Sequence, residues 1–500
     1  GCSEMIENFL AGSSALFGDP VTILIFVFGV IGGMLFGAIP GVSMLTLAAI
    51  LLPFSAGLEP AQGVMLFAVI YCTGTYGGAI TAILFNIPGA PENAPTAFDG
   101  YPMTKQGKAG KAVGAAVLCS AIGGTASALL MMAATEPLAK WAIRNIGPPE
   151  IFALVFFGLA VASSVGGNTI WKGWMSVLLG LLVATVGQDP VGGINRYNFG
   201  MTDLAAGIAF VPAILGFFAV SEIFIQAEKR AFGKYNAPKL DVNFPTFLEL
   251  WRYKIAVVRS ILVGFFCGIL PGIGATLAAF MGYGEAVRWS KNKEAFGKGN
   301  LEGVISSETA NNAATGAAMI PLLALGLPGG ALTAIMVAVF QFHDMEPGPL
   351  VFYNSPELIW VVFAAMFYAN VSILFIGLIE TKTILQLLRI PFHFLAPMIL
   401  MLASIGSFIG RGLVLDVMVM FLAGMIGFLL RRSGYSIPGI VLGIILGKIG
   451  EQNFAQGMQM VHYDLVTYFS RPICALLILA GAITLGTGIY RALASNRAGA

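Results

Sequence analysis

A chain of 500 residues that is 57% hydrophobic and only 10% charged is not a soluble globule, because average proteins are roughly a quarter charged. Its mean hydropathy of +0.85 points instead to an all-α polytopic membrane protein. A formal net charge of +2, with no basic, aromatic-interleaved patch, gives no reason to expect a nucleic-acid partner. Five cysteines (Cys2, Cys72, Cys119, Cys267 and Cys474) are scattered without CxxC spacing, so neither a disulfide framework nor a metal site is expected, and small lipid- or core-facing roles are. Gly1 to Asp19 has no basic n-region ahead of its apolar stretch, so no cleavable signal peptide is expected.

In chain order, Met5 to Phe17 reads as an interfacial helix flanked by Glu4, Glu7 and Asp19. Val21 to Ile39, the corner Pro40-Gly41, and Val42 to Phe54 then form a helical hairpin whose second arm is only marginally long enough to cross a bilayer. The next apolar run extends through TGTYGGAITAILFNIPGAPENAPTAFDGYPM, Thr73 to Met103, where Gly77, Gly78, Pro88 and Gly89 interrupt a helix. In lipid every backbone N–H and C=O must be paired internally, so a break at membrane depth is tolerated only where protein or water covers it. The break therefore marks a cavity.

Spans are predicted near Val113 to Ala134, Phe152 to Val165, Thr169 to Val186 and Leu204 to Gln226, and they return the chain to a basic, cytoplasmic linker, 229–256. The pattern then repeats. GMLFGAIPG, with Gly33, Gly37, Pro40 and Gly41, recurs as GFFCGILPG, with Gly264, Gly268, Pro271 and Gly272. The interrupted helix recurs roughly 240 residues on as TGAAMIPLLALGLPGG, Thr315 to Gly330. Further spans follow near Leu358 to Ile379, Phe392 to Ile409, Leu413 to Leu430, Ser436 to Lys448 and Ile473 to Tyr490, for about a dozen or slightly more in all.

Loop charges say how the copies are related. In the first copy the connector Ser55 to Gln62 has Glu59 and no basic residue, whereas Lys105, Lys108 and Lys111 follow the break. In the second copy Arg288, Lys291, Lys293 and Lys298 lie in the connector, and Asp344, Glu346 and Glu357 follow the break. Cytoplasmic loops collect Lys and Arg, so the two repeats are predicted to be inverted across the membrane. The chain divides into 1–228 and 257–500, each a repeat with its following spans. Lys140, Arg144 and Arg411 fall on the wrong side of this scheme.

Paired Pro/Gly-interrupted segments in two halves of a membrane protein point to a transporter's substrate site. Half-helix N-termini at such breaks carry partial positive charge and favour an anion, and freed carbonyls suit a cation. A carboxylate substrate is expected, held by Gly41, Ser43, Asn86, Pro88, Gly89, Asn93, Thr96, Gly272, Thr276, Pro328 and Gly329. Thr46 is a further neutral group nearby, and small polar residues of this kind also mediate helix packing. The run SSETANNAATG supplies Glu308, Asn311, Asn312 and Thr315 as an ion-coupling set, because an ionisable residue inside a membrane segment is a functional candidate by default. Glu308 could alternatively cap or anchor the helix near the cytoplasmic interface. Asp416 is a weaker candidate, with pairing to Arg411 as the plain reading. Glu92, Asn93 and Asp99 border the first break, and Asp99 reads equally well as a turn former before Gly100.

These residues resemble the large membrane subunit of the bacterial tripartite tricarboxylate transporter family. The resemblance rests on GMLFGAIPG, on YGGAITAILFNIPG with the later FDGYPMTKQGKAG, on ETANNAATGAAMIPLLALGLPG, and on LDVMVMFLAGMIGFLLRRSGYSIPGIVLGIILGKIGEQN, between Gly33 and Asn453. It implies an importer in the bacterial inner membrane, driven by Na+ or H+ and using no other cofactor. It also implies a small membrane subunit of about four spans and a periplasmic solute-binding protein that delivers a carboxylate. By the same resemblance, Gly41, Asn86, Pro88, Gly89, Gly272, Glu308, Asn311, Asn312, Pro328 and Gly329 match the family's motifs. The chain departs from the usual pattern at Ala90-Pro91-Glu92-Asn93-Ala94-Pro95 and at Gly330-Ala331, both beside the breaks. A carboxylate permease or channel acting without a binding protein is the alternative. An intramembrane enzyme is disfavoured, since no HExxH, GxSxG, GxGD or GxxxxGK[ST] motif appears and His343, His393 and His462 are isolated.

Overall fold

The computed structural model describes residues 2–39, 43–165, 169–189, 192–228, 244–270, 274–387 and 392–498. The described residues are almost entirely helical. The exception is a two-stranded antiparallel pair, Gly187–Gln188 with Asn195–Arg196. Seven helices are long and apolar enough to cross a membrane: Pro20–Ala38, Pro60–Phe85, Ala109–Asn145, Phe210–Glu228, Pro356–Gly377, Val414–Arg432 and Pro472–Tyr490. Shorter apolar helices add to these, among them Ile170–Ala184 and Ala331–Phe342. The chain is an all-α polytopic membrane protein.

The first repeat opens with Pro20–Ala38, which starts cleanly because Pro20 sits at its first turn and the Asp19 carboxylate accepts from the Thr22 amide at 2.9 Å. Met44–Leu51 is the second hairpin arm, and Pro60–Phe85 is the interrupted helix. The second repeat supplies Lys254–Ile269, Gly274–Trp289 and Leu301–Ala317 in the same order. The corners Pro40-Gly41 and Pro271-Gly272, and the linker portion 229–243, lie outside the described residues. The second hairpin begins at Lys254, slightly before the linker boundary read from the sequence.

The repeated glycines do equivalent work. Gly33 lies against Ile70 and Thr73, and Gly37 against Gly74, on the first interrupted helix. Gly264 lies against Ala310, and Gly268 against Ala314, on the second. A Cβ at any of these positions would meet the facing backbone, so close helix approach requires glycine there.

The breaks are equivalent too. Pro60–Phe85 ends at Asn86 in the left-handed region (φ 57°), and Met319–Leu325 ends at Gly326 in the same region (φ 74°). Ile87 N–H then returns to the Thr81 carbonyl at 3.3 Å and Leu327 N–H to the Pro321 carbonyl at 3.1 Å, the same six-residue closure in each copy. Asn tolerates this conformation better than other residues with a Cβ, and that is why Asn and Gly alternate at the two ends.

Hydrogen bonds fix the relative direction of the copies. Asn93 reaches the Thr75 carbonyl and Thr104 the Ile83 carbonyl, so Ala94–Lys105 runs the same way as Pro60–Phe85. Against it, Asn311 meets Glu92, Ser307 meets Thr96, and Gly303 meets Asp99. Leu301–Ala317 therefore runs opposite to the first interrupted helix. The loops agree: Gln106 donates to the Lys298 carbonyl at one end of the molecule, while Gly63 packs against His343 at the other.

The copies also interlock. Leu301–Ala317 packs along Ala109–Asn145 of the first half, where Ser127 bonds the Ala313 carbonyl and accepts from the Ala317 amide. Pro60–Phe85 packs along Pro356–Leu387 of the second half, where the Tyr76 hydroxyl donates to the Gly377 carbonyl. Both long partner helices also pack on each other. Every residue from Gly63 to Leu84 is buried, and so is every residue from Gly303 to Ala317, so the two interrupted helices form the centre of the molecule.

Outside this centre three observations bear on the reading of the sequence. The first helix, Cys2–Gly18, lies along Pro356–Leu387, with Gly12 against the Trp360 backbone and Phe9 stacked on Tyr368. It is thus part of the bundle. The helix expected to stop at Lys448 continues from Ile437 to Met460, carrying Glu451 to Arg196 at 2.6 Å. Two of the basic residues on the unexpected side are neutralised: Lys140 pairs with Glu136 at 2.7 Å and Arg411 with Asp416. The pairing read for Asp416 is the one present.

Candidate functional site

The centre of the molecule contains a fully buried polar cluster. Glu308 sits mid-helix in Leu301–Ala317 with no exposed surface, and so does not cap or anchor a helix end. Its carboxylate is met by the Thr96 hydroxyl, by the Ser120 hydroxyl at 3.0 Å, and by the Asn311 and Asn312 amides at 3.4 and 3.5 Å. These donors come from three separate elements: Ala94–Lys105, Ala109–Asn145 and Leu301–Ala317 itself. Convergence of this kind holds a buried carboxylate only because each element contributes a donor.

Asn311 links this cluster to the first break by donating to the Glu92 carbonyl at 3.2 Å. Asn312 donates to Asn311 at 2.7 Å, and Thr315 donates to the Asn312 carbonyl at 2.8 Å while its hydroxyl lies 3.9 Å from the Cys72 sulfur. Beyond Glu92, the Thr276 hydroxyl reaches the Glu92 carboxylate at 3.5 Å, and Gly274 packs against Gly329 and Gly330 of the second break. A continuous path of contacts thus joins the two breaks through the first turn of Gly274–Trp289.

The expected residues divide accordingly. Asn93, Thr96, Thr276, Glu308, Asn311, Asn312 and Thr315 converge. Gly89 and Gly329 line the breaks in places where no side chain fits: Gly89 approaches Gly37 and Gly78, and a Cβ on Gly329 would stand 2.7 Å from the Ala318 carbonyl. Pro328 is buried beside Gly329, and Pro88 is half-buried beside Gly89. Asn86 contributes its backbone conformation, and its side chain is exposed. Ser43 precedes Met44–Leu51 without a side-chain cap bond, and Thr46 is buried in that helix. Gly41 and Gly272 lie outside the described residues.

Sequence reasoning missed Ser120, Ser307 and Asn370. Ser120 is one hydroxyl in a long apolar helix with no local signal, and only a three-dimensional partner gives it meaning. Asn370, buried on Pro356–Leu387 and packed against Gly124, is equally silent. Asp99 is not a turn former. It lies inside Ala94–Lys105, fully buried, and accepts from the Gly299 and Asn300 amides at 2.9 and 2.8 Å and from the Tyr283 hydroxyl at 2.9 Å.

No group of three or more His, Cys, Asp or Glu side chains able to hold a metal ion occurs among the described residues. No Lys, Arg or His ion pair reaches Glu92 or Glu308 among them either. The site is a set of neutral donors and acceptors around two buried acids, which suits binding and release of small charged species.

A sequence profile described as the tripartite tricarboxylate transporter TctA family matches residues 23–442, a span that includes both breaks and the Glu308 cluster. The chain belongs to the tripartite tricarboxylate transporter TctA family. This is a family of membrane transport subunits. An uncharacterized 52.8 kDa protein of Agrobacterium vitis, in the TAR-I ttuC' 3' region, is 34% identical over 99% of this chain and 98% of its own length. A second uncharacterized protein of that organism, in the TAR-II ttuC' 3' region, is 33% identical over 47% of this chain and 97% of its own length. No solved structure matches the chain.

Proposed function

We propose that this TctA-family subunit imports a tri-, di- or aromatic carboxylate across the bacterial inner membrane by alternating access, driven by Na+ or H+. A periplasmic solute-binding protein delivers the substrate, and a small membrane subunit of about four spans completes the complex. The observation that carries this reading is the meeting of two oppositely directed interrupted helices at a buried carboxylate, Glu308, held by both halves of the chain. The carboxylate substrate takes the position between the Pro88-Gly89 and Pro328-Gly329 breaks, where half-helix N-termini and glycine backbones accept an anion. Glu308, with Asn311, Asn312 and Thr315, takes the coupling cation. Inverted repeats give two related arrangements of this site, one facing each side.

The test is uptake of labelled citrate and a panel of di- and aromatic carboxylates into proteoliposomes, with and without purified binding protein and with imposed sodium or proton gradients. Uptake is expected only with one of the gradients and with the binding protein, and Glu308→Gln is expected to weaken the gradient dependence. Uptake indifferent to both gradients rejects coupling, and full uptake without a binding protein favours a simple permease.

A further inference from the structure

Glu308 is not the only acid in the centre. Glu92, at the tip of the first break, is 6% exposed. Glu308 has hydroxyl and amide donors on both carboxylate oxygens, whereas the hydrogen bond found for the Glu92 carboxylate is the Thr276 hydroxyl at the outer limit of 3.5 Å. Among the described residues, no Lys, Arg or His of the elements packed around it pairs with it. Pro60–Phe85 presents Tyr71, whose hydroxyl turns to the Ala275 backbone, Leu301–Ala317 presents Glu308 and Asn311, and Gly274–Trp289 presents Thr276. Two neighbouring groups are short of partners in the opposite sense: the Asn93 and Asn312 side-chain oxygens are both fully buried with no donor. Asn93 follows Glu92 directly, and Asn312 is bonded to the Asn311 that contacts the Glu92 carbonyl. Among the described residues, the centre thus holds buried acceptor oxygens that no donor meets. An ionised carboxylate in such surroundings is stable only with an added positive charge.

From this geometry we infer that Glu92 is a second cation-accepting site, distinct from Glu308, so that each transport cycle carries one more small cation, sodium or a proton, than Glu308 alone would take. The inference rests on the coupled-import reading and extends it. Asn311 bridges the two sites, bonding the Glu92 carbonyl and the Glu308 carboxylate through one amide. Filling one site therefore acts on the other through a shared hydrogen-bond donor, and the incoming anion meets two compensated acids in place of two bare charges.

Two readings on the purified full chain test this and separate the two cations. Radioactive sodium binding, with choline as the balancing ion, is expected to fall from two ions per chain to one in Glu92→Gln and likewise to one in Glu308→Gln if sodium is the occupant. If a proton occupies the second site, sodium binding is unchanged in Glu92→Gln. The infrared carbonyl band of a protonated buried carboxyl, present in the wild type without sodium, is then lost in that variant. Equal sodium counts and an unaltered infrared band in wild type and Glu92→Gln overturn the assignment of Glu92. If one sodium is also lost in Glu308→Gln, that outcome leaves the Glu308 reading standing. No cation by either reading rejects both. Should Glu92→Gln fail to fold, Glu92→Asp keeps the acid on a shorter stem. It must then shift the infrared band or weaken the second sodium, and a chain unaffected in both respects refutes the inference.

Discussion

Asn86 and Gly326 stop two helices in the same left-handed turn, and the residues after them carry the transport reading. At the second break, Gly329→Val places branched carbons into the Ala318 backbone. The expected result is folded protein in the membrane with uptake abolished, checked by size-exclusion profile and proteoliposome transport side by side. Asn312→Ala removes the amide that bonds Glu308 and Asn311. It too is expected to abolish uptake while the protein remains folded, because the partners left behind can turn to other groups in a polar cluster. Wild-type rates in either variant refute the site. At this scale the sequence was informative where chemistry is unusual for lipid: Glu308, Asn311 and Asn312 stand out in an apolar run. Ser120 does not, because a lone hydroxyl in a membrane helix has the same local appearance whether it bonds its own backbone or a distant carboxylate.

The interrupted helices are held in register by their neighbours. Ala94–Lys105 is fastened to the second repeat by Asp99, which binds two backbone amides and the Tyr283 hydroxyl at the same end of the molecule as the Gln106 to Lys298 contact. Bonds to an ionised acceptor are worth about 2 kcal/mol each. Asp99→Asn keeps the shape and loses the charge, so the expected effect is a lower thermal midpoint and easier separation of this half-helix from the second repeat. Alkylation of a cysteine introduced at the buried Ser307 by a water-soluble maleimide should rise several-fold in the Asp99→Asn background, and an unchanged rate argues against Asp99 as a closing contact. The equivalence of the hairpins was legible from GMLFGAIPG and GFFCGILPG, since the glycines needed for close packing leave a spaced pattern. This fastening was not. An aspartate ahead of a glycine fits a turn equally well, and the deciding partners lie about 200 residues away by the count from Asp99 to Gly299.

Across the whole molecule, the swap of basic loops is matched by the antiparallel course of the two interrupted helices. Cysteines introduced at Lys108 and Lys298 are expected to react with an impermeant maleimide from one face of the membrane, and cysteines at Glu59 and Asp344 from the other. All four labelling from one face would overturn the inverted arrangement. Loop charge revealed this architecture because orientation is set by Lys and Arg near span ends. It left Lys140, Arg144 and Arg411 on the wrong side, and two of these three are neutralised by a neighbour: Glu136 pairs with Lys140 and Asp416 with Arg411. Span lengths were less legible, as with the extension of Ile437–Met460, where continuous helix runs past the apolar stretch.

The interlocking of the two halves has a consequence for how the chain is made. When the ribosome has delivered only the first half, the hydroxyls of Thr96, Ser120 and Ser127 lack their mature partners, because Glu308 and Ala313 are still to be synthesised. Maturation must wait for the late arrival of Leu301–Ala317 to slide into place between helices that are already in the membrane.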